Sequence, residues 1–283
     1  MKSVAFVTTC KSRLHHIKQT LPPIVAQAPD EIVVVDYGCP DKSGDWIEDH
    51  YPTVKVVRVN DDEDFCVARA RNIGVAATSS EWICFIDADI LITPGWLDWL
   101  RQNLHPSFHF RSIQSDRIKG SDTWGTVLCT RQAFARSGGY DEVFRGWGGE
   151  DNDFHSRLQL AGYSEAQFPA EYLQAIEHDD KERYAHYSIK SKLHSRIINK
   201  FYRVAKLQIM ALNNLNPDIP LDIRKQIRNE ITSALRDWNP DDTREYPDVS
   251  LTFNSTGWLP PPYRMKNQVT LTLSIEKQDE SSF

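Results

Sequence analysis

The chain has 283 residues, enough for one large domain or for a domain with an appendage. With 40% hydrophobic and 25% charged residues it has ample material for a core, and a formal net charge of −6 gives no electrostatic reason to expect nucleic acid as a partner. Its five cysteines are widely spaced and include no CxxC pair, which excludes a zinc knuckle or a thioredoxin-like redox site.

The N-terminus runs directly into Val4-Ala5-Phe6-Val7, too short for the apolar region of a signal peptide. No uninterrupted apolar stretch approaches membrane-spanning length. The expectation is a reduced cytoplasmic protein without a transmembrane segment, soluble or peripheral to the inner membrane face. Val4–Thr8, Glu31–Val35, Val54–Val59 and Trp82–Ile86 are rich in β-branched or aromatic residues and have strand length. Between them Leu14–Gln27, Lys42–His50 and Asp64–Thr78 are amphipathic and predict helices. This alternation predicts an α/β fold, a mostly parallel sheet covered by helices. Ligands of such sheets bind beyond the carboxyl ends of the strands. Thr8, Asp36 and Asp87-Ala88-Asp89 stand at three such ends and are expected to share one crevice.

A helix is predicted from Pro94 to Leu104, then a less regular region to Lys119. Thr123–Thr130 reads as a strand and Arg131–Ser137 as a short helix ended by Gly138-Gly139. Phe154–Ala161 reads as a helix and Glu171–Ile176 as a strand that delivers His178. Beyond about residue 183 the texture changes: Tyr184–Asn213 and Asp222–Trp238 read as long helices, and Gln268–Ile275 as a strand after Pro260-Pro261-Pro262. The organisation expected is a catalytic domain over 1–182 and a helical extension with a tail over 183–283. The cationic stretch from Lys190 to Lys206 reads as the wet face of a helix.

Gly146-Trp147-Gly148-Gly149-Glu150-Asp151-Asn152-Asp153 places three carboxylates and an indole on backbone made pliable by three glycines. A core element would seldom combine so much flexibility with so much charge. Asp87-Ala88-Asp89 closes an apolar strand, and alternation points both carboxylates the same way. Two nearby carboxylates repel unless a cation or proton intervenes, and oxygen ligands suit Mn²⁺ or Mg²⁺. An imidazole from His178 would favour Mn²⁺. Arg71, or failing it Arg69, offers a guanidinium to a diphosphate. Trp147, flanked by glycines, is a candidate for stacking on a sugar, whereas Trp124 reads equally as a core residue. Glu150 and Asp151 are candidates for a hydrogen-bond acceptor and a general base.

These residues together resemble nucleotide-sugar glycosyltransferases of the GT-A fold. The segments Val33-Val34-Val35-Asp36, Ala70-Arg71-Asn72-Ile73-Gly74 and Phe85-Ile86-Asp87-Ala88-Asp89 are similar to family-2 glycosyltransferases in content and order. The run from Arg131 through Gly138-Gly139-Tyr140-Asp141 to Asp153 resembles the C-terminal half of β-1,4-galactosyltransferases and of chondroitin-polymerase-type enzymes. The resemblance covers roughly residues 1–180 and implies a UDP-sugar donor, a glycan acceptor and inversion at the anomeric carbon. It further implies Asp151 as catalytic base; Thr8, Asp36, Arg71 and Asp87 as donor-binding residues; Trp147 and Glu150 in the acceptor pocket; and Asp87, Asp89 and His178 around Mn²⁺, with Mg²⁺ as the alternative ion. Ala175 stands where galactosyltransferases carry a methionine ligand, and Asn152 replaces an acidic residue of their motif. Two alternatives stay open. One is a retaining enzyme like the polypeptide N-acetylgalactosaminyltransferases, which carry a related Trp-Gly-Gly-Glu motif usually followed by asparagine. The other is a nucleotide-sugar-binding protein without turnover.

Overall fold

The computed structural model describes residues 2–112, 123–177, 186–189, 191–213, 216, 218–238 and 247–276. The chain divides into two compact units, Met1–Lys190 and Ser191–Phe283. The expected domain boundary at 182/183 lies outside the described residues.

In the first unit the strands are β1 (Val4–Cys10), β2 (Glu31–Asp36), β3 (Lys55–Arg58), β4 (Trp82–Asp87), β5 (Ile90–Ile92), β6 (Phe108–Ser112), β7 (Val127–Thr130), β8 (Ser164–Phe168) and β9 (Leu173–Ala175). The helices are α1 (Leu14–Ala26), α2 (Ser43–His50), α3 (Val67–Ala76), α4 (Trp96–Asn103), α5 (Arg131–Arg136) and α6 (Glu150–Leu160). The main sheet runs β3-β2-β1-β4-β7-β6-β8. Its β3-β2-β1-β4 half is parallel, β7 is antiparallel to both β4 and β6, and β8 returns parallel to β6. β5 and β9 form a separate antiparallel pair in the register Ile90↔Ala175.

Strand alternation sorts the core onto the two faces of the sheet. Val7, Val33, Val35, Ile83, Phe85, Val127 and Cys129 face α3, α5 and α6, where Ala70, Ala133, Phe154 and Leu158 pack on them. On the other face Phe6, Trp82, Cys84, Ile86 and Leu128 meet Trp96, Leu97 and Leu100 of α4 and Ile90 and Leu173 of the small sheet. Gly74 sets the approach of α3: a Cβ there would lie 2.3 Å from Val7 Cγ1. The glycine of Ala70-Arg71-Asn72-Ile73-Gly74 is therefore needed for packing.

Several boundaries differ from the sequence expectations. α3 begins at Val67 rather than Asp64, because the Cys66 thiol caps its N-terminus by accepting from Arg69 N. α6 begins at Glu150 rather than Phe154, so the acidic motif is itself the first turn of the helix. Strands β6 and β8 were not expected; they pair with each other at the edge of the sheet. The expected strand Thr123–Thr130 is confined to β7, after a turn closed by Thr126 N donating to Thr123 O.

The second unit contains α7 (Lys192–Leu212), α8 (Leu221–Ala234) and a hairpin of β10 (Asp248–Trp258) with β11 (Arg264–Ser274). α7 starts eight residues later than expected, at a Ser191 cap whose hydroxyl accepts from His194 N. Lys206 is buried with its ammonium 5.8 Å from the Tyr202 ring centre, so the Lys190–Lys206 stretch is not a uniformly wet face. No helix among the described residues is long and apolar enough to cross a membrane.

Candidate functional site

The crevice is built at the carboxyl ends of β2, β1 and β4. Cys10 is the cross-strand partner of Asp36, and Thr9 of Asp87. Chain order leaves β1 towards β2 and β3 on one side and towards β4 on the other, so this is the switch point of the sheet, where such folds open for ligands.

Arg71 is the centre of the site. It lies on α3 with its side chain almost fully buried, and its guanidinium donates to Asp87 Oδ1 at 2.8 Å and, through the other terminal nitrogen, to Asp151 Oδ1. The same group reaches the Gly125 carbonyl and lies 4.9 Å from the centre of the Tyr140 ring. One cation thus joins the aspartate at the end of β4 to the aspartate in the first turn of α6. Asn72, the next residue, fixes the other side of the joint. Its amide donates to Tyr140 O and Glu142 Oε1, and its Oδ1 accepts from Tyr140 N. The Tyr140 hydroxyl in turn donates to Asp151 Oδ1 at 3.4 Å.

The acidic motif divides by direction. Gly146, Gly148 and Gly149 all have positive φ, which the Gly-rich sequence makes inexpensive, and Gly149 is the residue from which α6 starts. Asp151 then points to Arg71 on the crevice side, and Glu150 beside it is buried. Asp153 turns inward and is 0% exposed. It accepts from Arg157 Nε at 2.8 Å and forms an ion pair with Nη2 at 2.7 Å, while Arg157 Nη1 donates to the carbonyls of Ser137 and Gly139. Trp147 is half-buried, so its ring is not lost to the core.

Electrostatics follow from this packing. Burial pushes the Glu150 carboxyl up to about 8, with Asp151 beside it adding in the same direction and Arg71 opposing, so Glu150 is mainly protonated at neutral pH. Burial also raises Asp87, to about 6; Arg71 opposes the rise, while Asp89 and Asp151 add to it. Burial works against the charge of Arg71, but Asp151, Tyr140 and Asp87 outweigh it and hold the guanidinium firmly protonated. The Asp87 side chain keeps 35% exposure and Asp151 16%, so both remain open to a ligand.

Asp87 shares Arg71 with Asp151 and has Asp89 as a charged neighbour, and carboxylate oxygens gathered in this way fit a hard divalent ion. Ile176 N donates to Asp89 O at 2.8 Å, which brings the chain leading to His178 alongside Asp89. His178 itself lies outside the described residues. Among the described residues one group of three ligand types lies close enough to share an ion: Cys10, Cys39 and Asp36. The two thiols are 3.5 Å apart. Both Asp36 oxygens are already engaged, accepting from Cys39 N at 2.7 Å and from Gly44 N at 2.8 Å. Asp36 thus orders the loop between β2 and α2 at the crevice edge. The Thr8 hydroxyl donates to Ile86 O at 2.5 Å within the sheet. Arg69 is drawn away from the crevice by Asp61, at 2.7 Å.

Three neighbours of the site were given no role from the sequence, although Tyr140 lies in the run that resembles galactosyltransferases. A Cβ on Gly125 would lie 2.2 Å from Asp87 Oδ2 and 2.8 Å from Arg71 Nη2, so only glycine fits there. Tyr140 supplies the ring beneath Arg71. Tyr187 stacks on Phe65, and its hydroxyl is pushed up by burial, then by Glu150 and Asp87. Their roles depend on contacts far along the chain, which local pattern does not encode.

Residues 5–105 match the family model Glycosyl transferase family 2, and residues 109–187 match the model described as the N-terminal domain of galactosyltransferase. The two matches lie one after the other along the chain, and both are to glycosyltransferase models. A curated relative of this chain is validoxylamine A glucosyltransferase of Streptomyces hygroscopicus subsp. limoneus, 24% identical over 205 residues. The match takes in 52% of the chain and 45% of the relative, so the chain spans about half that protein's length. Among solved structures, S. aureus TarS 1–349 in complex with UDP-GlcNAc aligns with a TM-score of 0.58 at 15% identity, over 85% of this chain and 74% of that one. Mannosyltransferase PcManGT from Pyrobaculum calidifontis, in complex with GDP-Man and Mn²⁺, aligns with a TM-score of 0.51 at 18% identity, over 83% and 75%. These likenesses establish the GT-A fold of the chain.

Proposed function

We propose that the chain is an inverting, metal-dependent glycosyltransferase that moves a hexose or N-acetylhexosamine from a UDP-sugar to a glycan hydroxyl. The observation that carries the reading is the Asp87–Arg71–Asp151 bridge, which ties the donor-side acidic motif to the glycine-rich acidic loop through one buried guanidinium. The UDP-GlcNAc bound to TarS and the GDP-Man and Mn²⁺ bound to the mannosyltransferase support a nucleotide-sugar donor and a divalent cation.

In this reading Asp151 removes the proton of the acceptor hydroxyl. The acceptor oxygen bonds to the anomeric carbon as the bond from that carbon to the β-phosphate oxygen breaks, and UDP leaves. Arg71 and Tyr140 hold Asp151 in orientation. Glu150, protonated near neutrality, can donate to an acceptor hydroxyl while its carbonyl oxygen accepts. Trp147 offers a face to the sugar ring. Asp87 and Asp89, with His178, would hold Mn²⁺ or Mg²⁺, and such an ion offsets charge on a leaving diphosphate. Thr8 and Asp36 line the nucleotide side.

The test is UDP release with Mn²⁺ across a panel of donors and acceptors, followed by the anomeric configuration of the product by NMR. A β-linked product from an α-linked donor is expected. An α-linked product would replace inversion with retention, the alternative left open by the Trp147-Gly148-Gly149-Glu150 motif. Absence of release from every pair, with donor binding intact, would favour a binding protein.

A further inference from the structure

The β10–β11 hairpin is paired along its whole length, from Asp248↔Ser274 at the base to Trp258↔Arg264 at the tip. At about 3.4 Å per residue the tip stands roughly 30 Å from the base. The base is anchored: Val249 and Leu251 are buried, and β10 packs on α8. The tip is different. Trp258 is 82% exposed and Tyr263 71%, and Leu259 and Met265 beside them are exposed as well. Tyr263 N donates to Pro260 O, which closes the turn through the three prolines. An exposed indole and phenol at the end of a hairpin contribute nothing to a core, so folding does not require them.

The charge pattern indicates what they are for. From Val249 to Ile275 the chain has no Asp or Glu, and its two basic residues, Arg264 and Lys266, both sit at the tip. The chain as a whole carries −6. Asp248 and Glu276, at the base, are several Debye lengths away from the tip at physiological salt, where that length is about 8 Å. The tip is therefore a small apolar and cationic point on an acidic chain. Trp and Tyr favour the level of lipid headgroups, with the ring in the apolar boundary and the polar edge in water. Leu259 and Met265 suit insertion, and neither offers the stacking face that a sugar would use. The absence of carboxylates removes the charged acceptors that hold sugar hydroxyls most strongly.

We propose that the tip of the β10–β11 hairpin, Trp258 to Lys266, is a docking point for an anionic phospholipid surface. Trp258, Leu259, Tyr263 and Met265 enter the headgroup boundary, and Arg264 and Lys266 pair with lipid phosphates. The proposal stands apart from the catalytic reading and survives if that reading fails.

Flotation of the full chain with vesicles tests it. Wild type is expected to float with mixed phosphatidylcholine/phosphatidylglycerol vesicles, less so at high salt, and to stay behind with phosphatidylcholine alone. A basic residue near an anionic surface is worth about fivefold in binding, so Arg264→Ser with Lys266→Ser should weaken it roughly 25-fold. Trp258→Ser with Tyr263→Ser should reduce it to background without moving the melting temperature. Absence of wild-type flotation, or equal flotation of either double variant, would overturn the proposal. So would sedimentation velocity showing wild-type self-association that the aromatic variant loses, which would assign the tip to a second copy. Retention on a glycan column that depends on the two aromatics, without vesicle binding, would assign it to a sugar.

Discussion

Two arginine–aspartate assemblies, both rooted in the first turn of α6, have opposite surroundings. Arg157 and Asp153 are sealed from solvent, and Arg157 spends its remaining donor on the carbonyls of Ser137 and Gly139. Arg71, equally buried, is shared by Asp87 and Asp151, both of which keep an open edge towards the crevice. The first assembly closes on itself and clamps the helix to the turn after α5. The second leaves carboxylate oxygen available and carries a negative excess. Two aspartates separated by one residue, Asp151 and Asp153, therefore have different tasks, set by which way the helix turns them. Both buried arginines are expected to support stability, and chemistry to reside in the open assembly.

The largest expected effect comes from removing the cation that both crevice carboxylates share. Arg71→Met leaves Asp87 and Asp151 facing each other without compensation, a loss of about 3–5 kcal/mol by the usual cost of breaking a buried pair. Turnover should fall at least about 100-fold as Asp151 loses its orientation. Mn²⁺ should restore part of the melting temperature of this variant, because a second cation can occupy the freed carboxylates; no restoration would argue against the metal assignment. Arg157→Met sharpens the contrast from the other side. It should cost a similar ~3–5 kcal/mol in urea unfolding yet leave the KM for donor close to wild type below the transition. A raised KM with unchanged stability would break the division of labour.

A smaller effect concerns Glu150. Its folded-state carboxyl titrates near 8 against an ordinary 4.5. Between those values the folded chain holds a proton that the unfolded chain has released, so this group's contribution to stability falls as pH rises through the window. The total is on the order of a few kcal/mol. Melting temperature of the metal-free protein should decline between pH 5 and 8, as about spans the window, and Glu150→Gln should flatten that decline. An unchanged slope in the variant would place the titration elsewhere.

Much of the crevice was legible because its chemistry follows apolar strands directly. Val33-Val34-Val35 ends in Asp36 and Trp82–Ile86 in Asp87, and strand ends of a parallel sheet converge whatever the side-chain details. The partner of Arg71 was not legible, since a guanidinium in a helix names no carboxylate until the helix is docked. Nor was the inward turn of Asp153, which depends on α6 beginning at Glu150. Strands β6 and β8, Phe108–Ser112 and Ser164–Phe168, are short and mix polar with aromatic residues; their strand character comes from pairing, β6 with β7 and β8, and β8 with β6 at the sheet edge. In the second unit, Asp248–Trp258 does alternate but was given no element from the sequence, and the proline cluster forms the turn of a hairpin.

The most direct test of the account sets Asp151→Asn beside Asp153→Asn in one experiment, with UDP release and thermal unfolding read on both. Asp151→Asn should lose about 10²–10⁴-fold in turnover, the range for a general base, with a melting temperature near wild type. Asp153→Asn should melt markedly lower and, while folded, retain turnover of the wild-type order. Full activity in Asp151→Asn, or loss of chemistry without loss of stability in Asp153→Asn, would contradict it.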